Sequence, residues 1–105
     1  MLKTMDKKGN IIYGDLSLQK DLKLEFRGGG NVVFFAGSSW GVNIVFSGNN
    51  SLFFHGGGGY MNGSSLVEIY HNGLCYIGRN SSFNGVAFRA FVGISIKDKM
   101  MISRR

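Results

Sequence analysis

The sequence predicts an all-β, single-domain parallel β-helix solenoid of about five coils, each 20–24 residues long. Three observations carry this. Apolar phrases recur at a near-constant interval, as stacked repeats require. Clusters of glycine and asparagine separate the phrases, and these residues enter left-handed turn conformations cheaply. Within each phrase the apolar positions follow a period of two, the period of a strand.

Taken in order, residues 1–10 are polar and basic and read as a leader or cap, with residues 11–105 as the solenoid domain. In the first coil Leu16, Leu18, Leu22, Leu24 and Phe26 alternate with polar residues. Leu18, Leu22 and Phe26 also stand four apart, which a helix would explain. The matching Val42, Ile44 and Phe46 decide for strand, because they are β-branched or aromatic and lie among glycines that a helix tolerates poorly. One register runs Ile12, Val32, Leu52, Leu74 and Ile94, with steps of 20, 20, 22 and 20 residues. A second runs Leu22, Val42, Leu66 and Val86, with steps of 20, 24 and 20. Corners are expected at residues 28–31, 48–50 and 71–73, with a second set at 36–38, 56–59 and 78–80. Stacked Asn at equivalent corners can share amide hydrogen bonds. The longer third step places an inserted loop at residues 56–65, with Tyr60 and Met61 exposed at its tip. The register also points Val32, Phe34, Leu52, Phe54, Leu74 and Tyr76 into a common core.

Composition supports this frame. Seventeen glycines without proline could signal disorder, but a 44% hydrophobic share argues against it. The net charge of +6 admits nucleic acid or another anionic partner. The charges gather at the ends, however, and residues 28–95 hold only Arg79, Arg89 and Glu68. Charged ends that keep a solenoid soluble explain this better than a nucleic-acid surface. The single Cys75 cannot form an internal disulfide, which fits a reducing cytoplasm. No run reaches the ~20 apolar residues of a membrane helix, and the first ten residues hold no signal-peptide core. A soluble, cytoplasmic protein with no membrane partner is expected.

Residues 48–54 (GNNSLFF), 76–83 (YIGRNSSF) and 94–103 (ISIKDKMMIS) carry a resemblance. The chain resembles the N-terminal half of a left-handed parallel β-helix acyltransferase, closest to sugar and polysaccharide O-acetyltransferases with degenerate hexapeptide repeats. The second and third segments look like that group's "IGxNSSF" and "IxIGxDCMIS" patterns, with Lys97 in place of the usual Gly and Met100 next to Met101. The resemblance implies acetyl transfer from coenzyme A to a hydroxyl by a His base. That His and the coenzyme A coils would lie beyond residue 105. Strict hexapeptide spacing is poor, with Leu18 to Leu24 as one clear step, so a right-handed coil stays open.

The residues themselves offer little catalysis. A general base at neutral pH is most often His, and only His55 and His71 are present, at different expected corners. Two His and one Cys make a poor zinc set. No G-x-S-x-G elbow is present, and the glycine runs lack the Gly-Lys-Ser/Thr ending of a phosphate loop. No catalytic, metal or cofactor residue is therefore expected. Glu68 falls in register with apolar residues, and the inserted loop should turn it outward so that Val67 and Ile69 point in. The expected function is a non-catalytic, acyltransferase-like solenoid acting by self-assembly or surface contacts. The alternatives are a fragment of an active O-acetyltransferase and a basic module binding nucleic acid or an anionic saccharide. Surface contacts are expected at Tyr60, Met61, His55, His71 and Arg79. A homo-oligomer is expected, either an end-on dimer or a side-packed trimer, because a solenoid end needs covering.

Overall fold

The computed structural model describes residues 2–62, 65–91 and 93–103. Strand β1 (Lys3–Met5) leads into a first coil of β2 (Ile11–Tyr13), a 3-10 turn at Leu16–Leu18, β3 (Gln19–Lys20) and β4 (Lys23–Phe26). The second coil is β5 (Val32–Phe35), β6 (Ser39–Trp40) and β7 (Asn43–Phe46). The third is β8 (Leu52–His55), β9 (Tyr60–Asn62) and β10 (Leu66–Ile69). The fourth is β11 (Leu74–Ile77), β12 (Ser82–Asn84) and β13 (Ala87–Ala90), and β14 (Gly93–Ile96) and β15 (Met101–Ser103) follow.

Each coil thus places one strand on each of three faces. Equivalent strands pair in parallel, in the order β2-β5-β8-β11-β14 on the first face, β9-β12-β15 on the second, which β3-β6 begins, and β4-β7-β10-β13 on the third. The chain is a parallel β-solenoid of about four turns. Strand β1 lies antiparallel on β2, so the first sheet begins with a hairpin.

The three corners repeat a single backbone device. Left-handed residues stack as Gly30, Asn50 and Asn72 at one corner, Gly58, Asn80 and Lys99 at the next, and Asp21, Gly41 and Gly85 at the third. Glycine, asparagine and aspartate are the residues that tolerate this conformation, which is why they punctuate the sequence. Their N–H groups bond one coil back, for example Asn72 to the Asn49 carbonyl (2.9 Å) and Lys99 to the Arg79 carbonyl (2.7 Å). The stacked Asn ladder takes a different path from the expected one. The buried Asn31 donates its Nδ2 to Asn10 Oδ1 (2.9 Å), and the Ser51 N–H donates to Asn31 Oδ1 (2.9 Å). Asn50 and Asn72 instead supply the left-handed turns.

Inside the coils lies one apolar column that includes Val33, Phe35, Ile44, Phe46, Phe53, Val67, Ile69, Cys75, Ile77 and Phe83, each at most 2% exposed. This corrects the expected core. On the first face Val33, Phe53 and Cys75 point inward, as do Phe35, His55 and Ile77, while Leu52, Leu74 and Tyr76 are exposed. The central register of Val32, Leu52 and Leu74 is as expected. Its ends shift by one, because Ile11 pairs Val32 and Gly93 pairs Leu74. In the second expected register Leu66 pairs Ala87 rather than Val86.

Glu68 points outward beside Val45 and Arg89, while Val67 and Ile69 are buried. The expected loop at 56–65 is corrected. Tyr60–Asn62 continues the second face as β9 in register with β12, so Met61 turns inward and is 3% exposed. Residues 63 and 64 of that stretch lie outside the described residues. Among the described residues no helix is long and apolar enough to cross a membrane.

Candidate interaction surface

The outer side of the first sheet is built from two straight rows. In-register pairing fixes the members: Met5, Ile11, Val32, Leu52 and Leu74 form one, and Tyr13, Phe34, Phe54 and Tyr76 the other. Parallel pairing repeats each position about every 4.8 Å, so both rows run along the solenoid axis. Met5, Leu52, Leu74 and Tyr76 are 56, 40, 45 and 40% exposed. Soluble chains seldom leave so continuous an apolar face uncovered unless it makes a contact.

The aromatic row is internally stacked. Phe34 and Phe54 have centroids 5.1 Å apart at 18°, and Phe54 and Tyr76 lie 4.9 Å apart at 4°. Tyr13 joins the row at 6.2 Å from Phe34. Each inner ring therefore spends its faces on its neighbours and turns an edge outward. The inner rings have no broad face to offer a flat ligand, but their edges can pack between apolar side chains. Lys3 closes one end, with Nζ 6.0 Å from the Tyr13 centroid. At the other end the rows stop at Gly93 and Ser95, the partners of Leu74 and Tyr76.

The expected contact residues separate. Tyr60 is 38% exposed on the second face. His71 is exposed at the corner between β10 and β11. Arg79 is exposed, with its guanidinium 3.4 Å from Asp98 Oδ2 and its backbone N–H donating to Asp98 Oδ1 (2.8 Å). Met61 and His55 are corrected to core positions. His55 is 1% exposed because alternation along β8 turns Phe53 and His55 to the same inner side. Its Nδ1 accepts the Gly57 N–H (3.0 Å), and Phe35 and Phe53 flank its ring. Burial pushes its pKa down to about 4, so the imidazole is neutral at physiological pH. Burial likewise pushes the Cys75 thiol up to about 12, and an un-ionised thiol is a poor nucleophile.

The third face is polar. Ser47 Oγ donates to Glu68 Oε2 (2.6 Å), and Arg89 Nε lies 3.5 Å from Oε1. The Ser47 bond, then Tyr70 and Arg89, hold the Glu68 carboxyl below the usual carboxylate range. Among the described residues no three His, Cys, Asp or Glu side chains gather as a metal site. The most continuous feature of the described surface is the pair of apolar rows. The sequence reading missed them because it pointed most of these same side chains inward. The signal lay in Gly93–Ile96, where Ile94 and Ile96 can only be the inner pair. Carried to Leu74–Ile77 with a step of 19, that alternation places Cys75 and Ile77 inside.

Comparison with known proteins gives no match: no family model, no curated protein and no solved structure is similar to the chain at a significant level.

Proposed function

We propose that the protein is a non-catalytic, acyltransferase-like β-solenoid that works by self-association through the outer side of its first sheet. The observation that carries the proposal is the outward-facing double row of Ile11, Val32, Leu52 and Leu74 beside Tyr13, Phe34, Phe54 and Tyr76, of which Leu52, Leu74 and Tyr76 are exposed and the rest half-buried. A second copy is the occupant because its rows have the same repeat, so ring edges of one copy settle between side chains of the other over several coils. A partner with unrelated spacing meets the rows at only one or two levels. Side-by-side packing of this kind favours the lateral mode of assembly over the end-on one. The acyltransferase-like coil plan belongs to the same reading. Two of the three segments that carry it, 76–83 and 94–103, stack on adjacent coils with Tyr76 beside Ser95 and Ser82 beside Met101.

Catalysis is not part of the proposal. His55 is enclosed and neutral, and His71 is exposed at its corner. Light scattering at micromolar concentration tests the reading. The native chain should give a mass above one copy, and Leu52→Lys with Leu74→Lys should give the monomer mass with an unchanged far-UV spectrum. A native chain that is monomeric at ~100 µM, a concentration at which even weak specific contacts form, removes the proposal.

A further inference from the structure

A separate feature lies where the second face meets the third. An open cleft of about 220 Å³ is lined by Asp21, Lys23, Trp40, Asn43, Met61 and Asn62, among others. Trp40 is the only tryptophan in the chain, and it is 59% exposed. It does not hang loose: its Nε1 donates to Asp21 Oδ2 (2.9 Å) across neighbouring coils. Asp21 is itself fixed, because it is the left-handed corner residue that follows β3 (φ +53°). The cleft wall comes close behind Trp40 because Gly41 has no side chain. A Cβ there would stand 2.1 Å from the Met61 carbonyl oxygen. Asn43 is held as well, its Nδ2 donating to the Ser65 carbonyl (3.1 Å).

We infer that this cleft is a binding site for one ring of a neutral oligosaccharide, with Trp40 as the platform and Asp21, Asn43 and Lys23 as hydrogen-bonding groups. A pyranose has an apolar face of C–H groups and a rim of hydroxyls. It therefore needs a wide aromatic surface beside mixed donors and acceptors. Trp40 provides the surface, and unlike the rings of the first sheet it belongs to no aromatic stack among the described residues. A carboxylate engaged through one oxygen has a second to accept from a hydroxyl, an ammonium only donates, and an amide does both. The opposite charges of Asp21 and Lys23 offset each other, so the cleft favours an uncharged ligand over a phosphate or a uronate. Concave sites with an apolar wall and a few convergent polar groups are where small molecules bind. The inference rests on a different face from the proposed self-association and stands or falls apart from it.

The single tryptophan makes the test direct. The intact protein is titrated with the hexasaccharides of glucose (α- and β-linked), of N-acetylglucosamine and of galacturonate, following Trp40 emission and, in parallel, heat. At least one neutral hexasaccharide should shift the emission saturably, with a Kd of about 1 mM or tighter, the range of a single subsite. In calorimetry Trp40→Ala should abolish that heat, and Asp21→Asn should weaken binding about tenfold. Asn keeps both the left-handed corner and an acceptor for the indole. Phe91→Ala, which removes an aromatic 65% exposed at another corner, should leave binding unchanged. Circular dichroism establishes that each variant is folded. The inference is overturned by an unshifted emission with every neutral hexasaccharide, by binding that survives Trp40→Ala, or by binding of the galacturonate chain alone.

Discussion

Truncating Phe53 and truncating Phe54 should have very different consequences, although the two stand side by side in β8. Phe53 is fully buried and packs against the Phe35 and His55 rings (centroids 6.3 and 6.2 Å). Phe53→Ala opens a cavity in the single column that holds the coils together. Loss of a buried Phe typically costs about 3–5 kcal/mol, from both lost transfer energy and the cavity left behind. Phe54 lies on the outer side, half-buried, and its ring is stacked between Phe34 and Tyr76. Phe54→Ala removes two aromatic pairs worth about 0.5–1.5 kcal/mol each, leaves no internal void, and should cost about 1–3 kcal/mol. Urea denaturation at 25 °C, at concentrations low enough to hold the monomer, reads both. Dilution matters because association stabilises the folded chain by mass action. The Phe53 variant should lose the larger share of a total stability that for such domains is only about 5–15 kcal/mol. Equal losses, or a larger loss for Phe54→Ala, refute the assignment of inner and outer sides.

Two further outcomes follow from single residues. His55 has its pKa lowered from 6.5 to about 4 by burial, so the unfolded chain binds the extra proton first. Stability from this group is complete above pH 6.5 and falls as pH drops through the window from 6.5 to 4, by roughly 3 kcal/mol in all. His55→Leu should flatten that part of the stability-against-pH curve; a slope that persists unchanged places its source elsewhere. Lys99 holds a left-handed backbone (φ +59°) at a position where the coils before it use Asn80 and Gly58. A non-glycine residue there costs about 1–2 kcal/mol, so Lys99→Gly should raise the urea midpoint by the equivalent of roughly 0.5–1 kcal/mol after the entropy cost of glycine. A lowered midpoint contradicts the corner assignment.

The fold was legible in the sequence because a solenoid writes its geometry repeatedly. The near-20 step and the Gly/Asn corners mark the stacking of strands and the left-handed turns. Lys23–Phe26 alternates cleanly and orients the third face, and Glu68 does point outward with Val67 and Ile69 inward, although the inserted loop held to turn it is a corner and strand β9. The first face could not be oriented the same way. Val32–Phe35 is apolar at every position, and Leu52–His55 ends on a His that looks like an exposed residue. When both sides of a strand are apolar, a period of two no longer says which side is buried. That ambiguity has the same cause as the candidate surface: the outward row is as apolar as the inward one. The 56–65 stretch misled for another reason. Consecutive glycines suggest a projecting loop, yet here they form a tight corner, and the chain re-enters the sheet at Tyr60. The Trp40 cleft was invisible to the repeat reading because Asp21 and Trp40, 19 residues apart, meet only through the stacking of two coils.

The central claim is that the outer side of the first sheet is covered by another copy of the chain. Thiol labelling tests it most directly. In a Cys75→Ala background, Leu52→Cys puts one thiol in the middle of the rows, and Asn84→Cys puts one on the exposed part of the second face. The rate of maleimide labelling is then followed as protein concentration is raised from nanomolar to about 100 µM, across the range in which specific contacts between proteins form. The rate at position 52 should fall severalfold as copies associate, while the rate at position 84 stays constant. Rates at both positions that do not change with concentration contradict the claim.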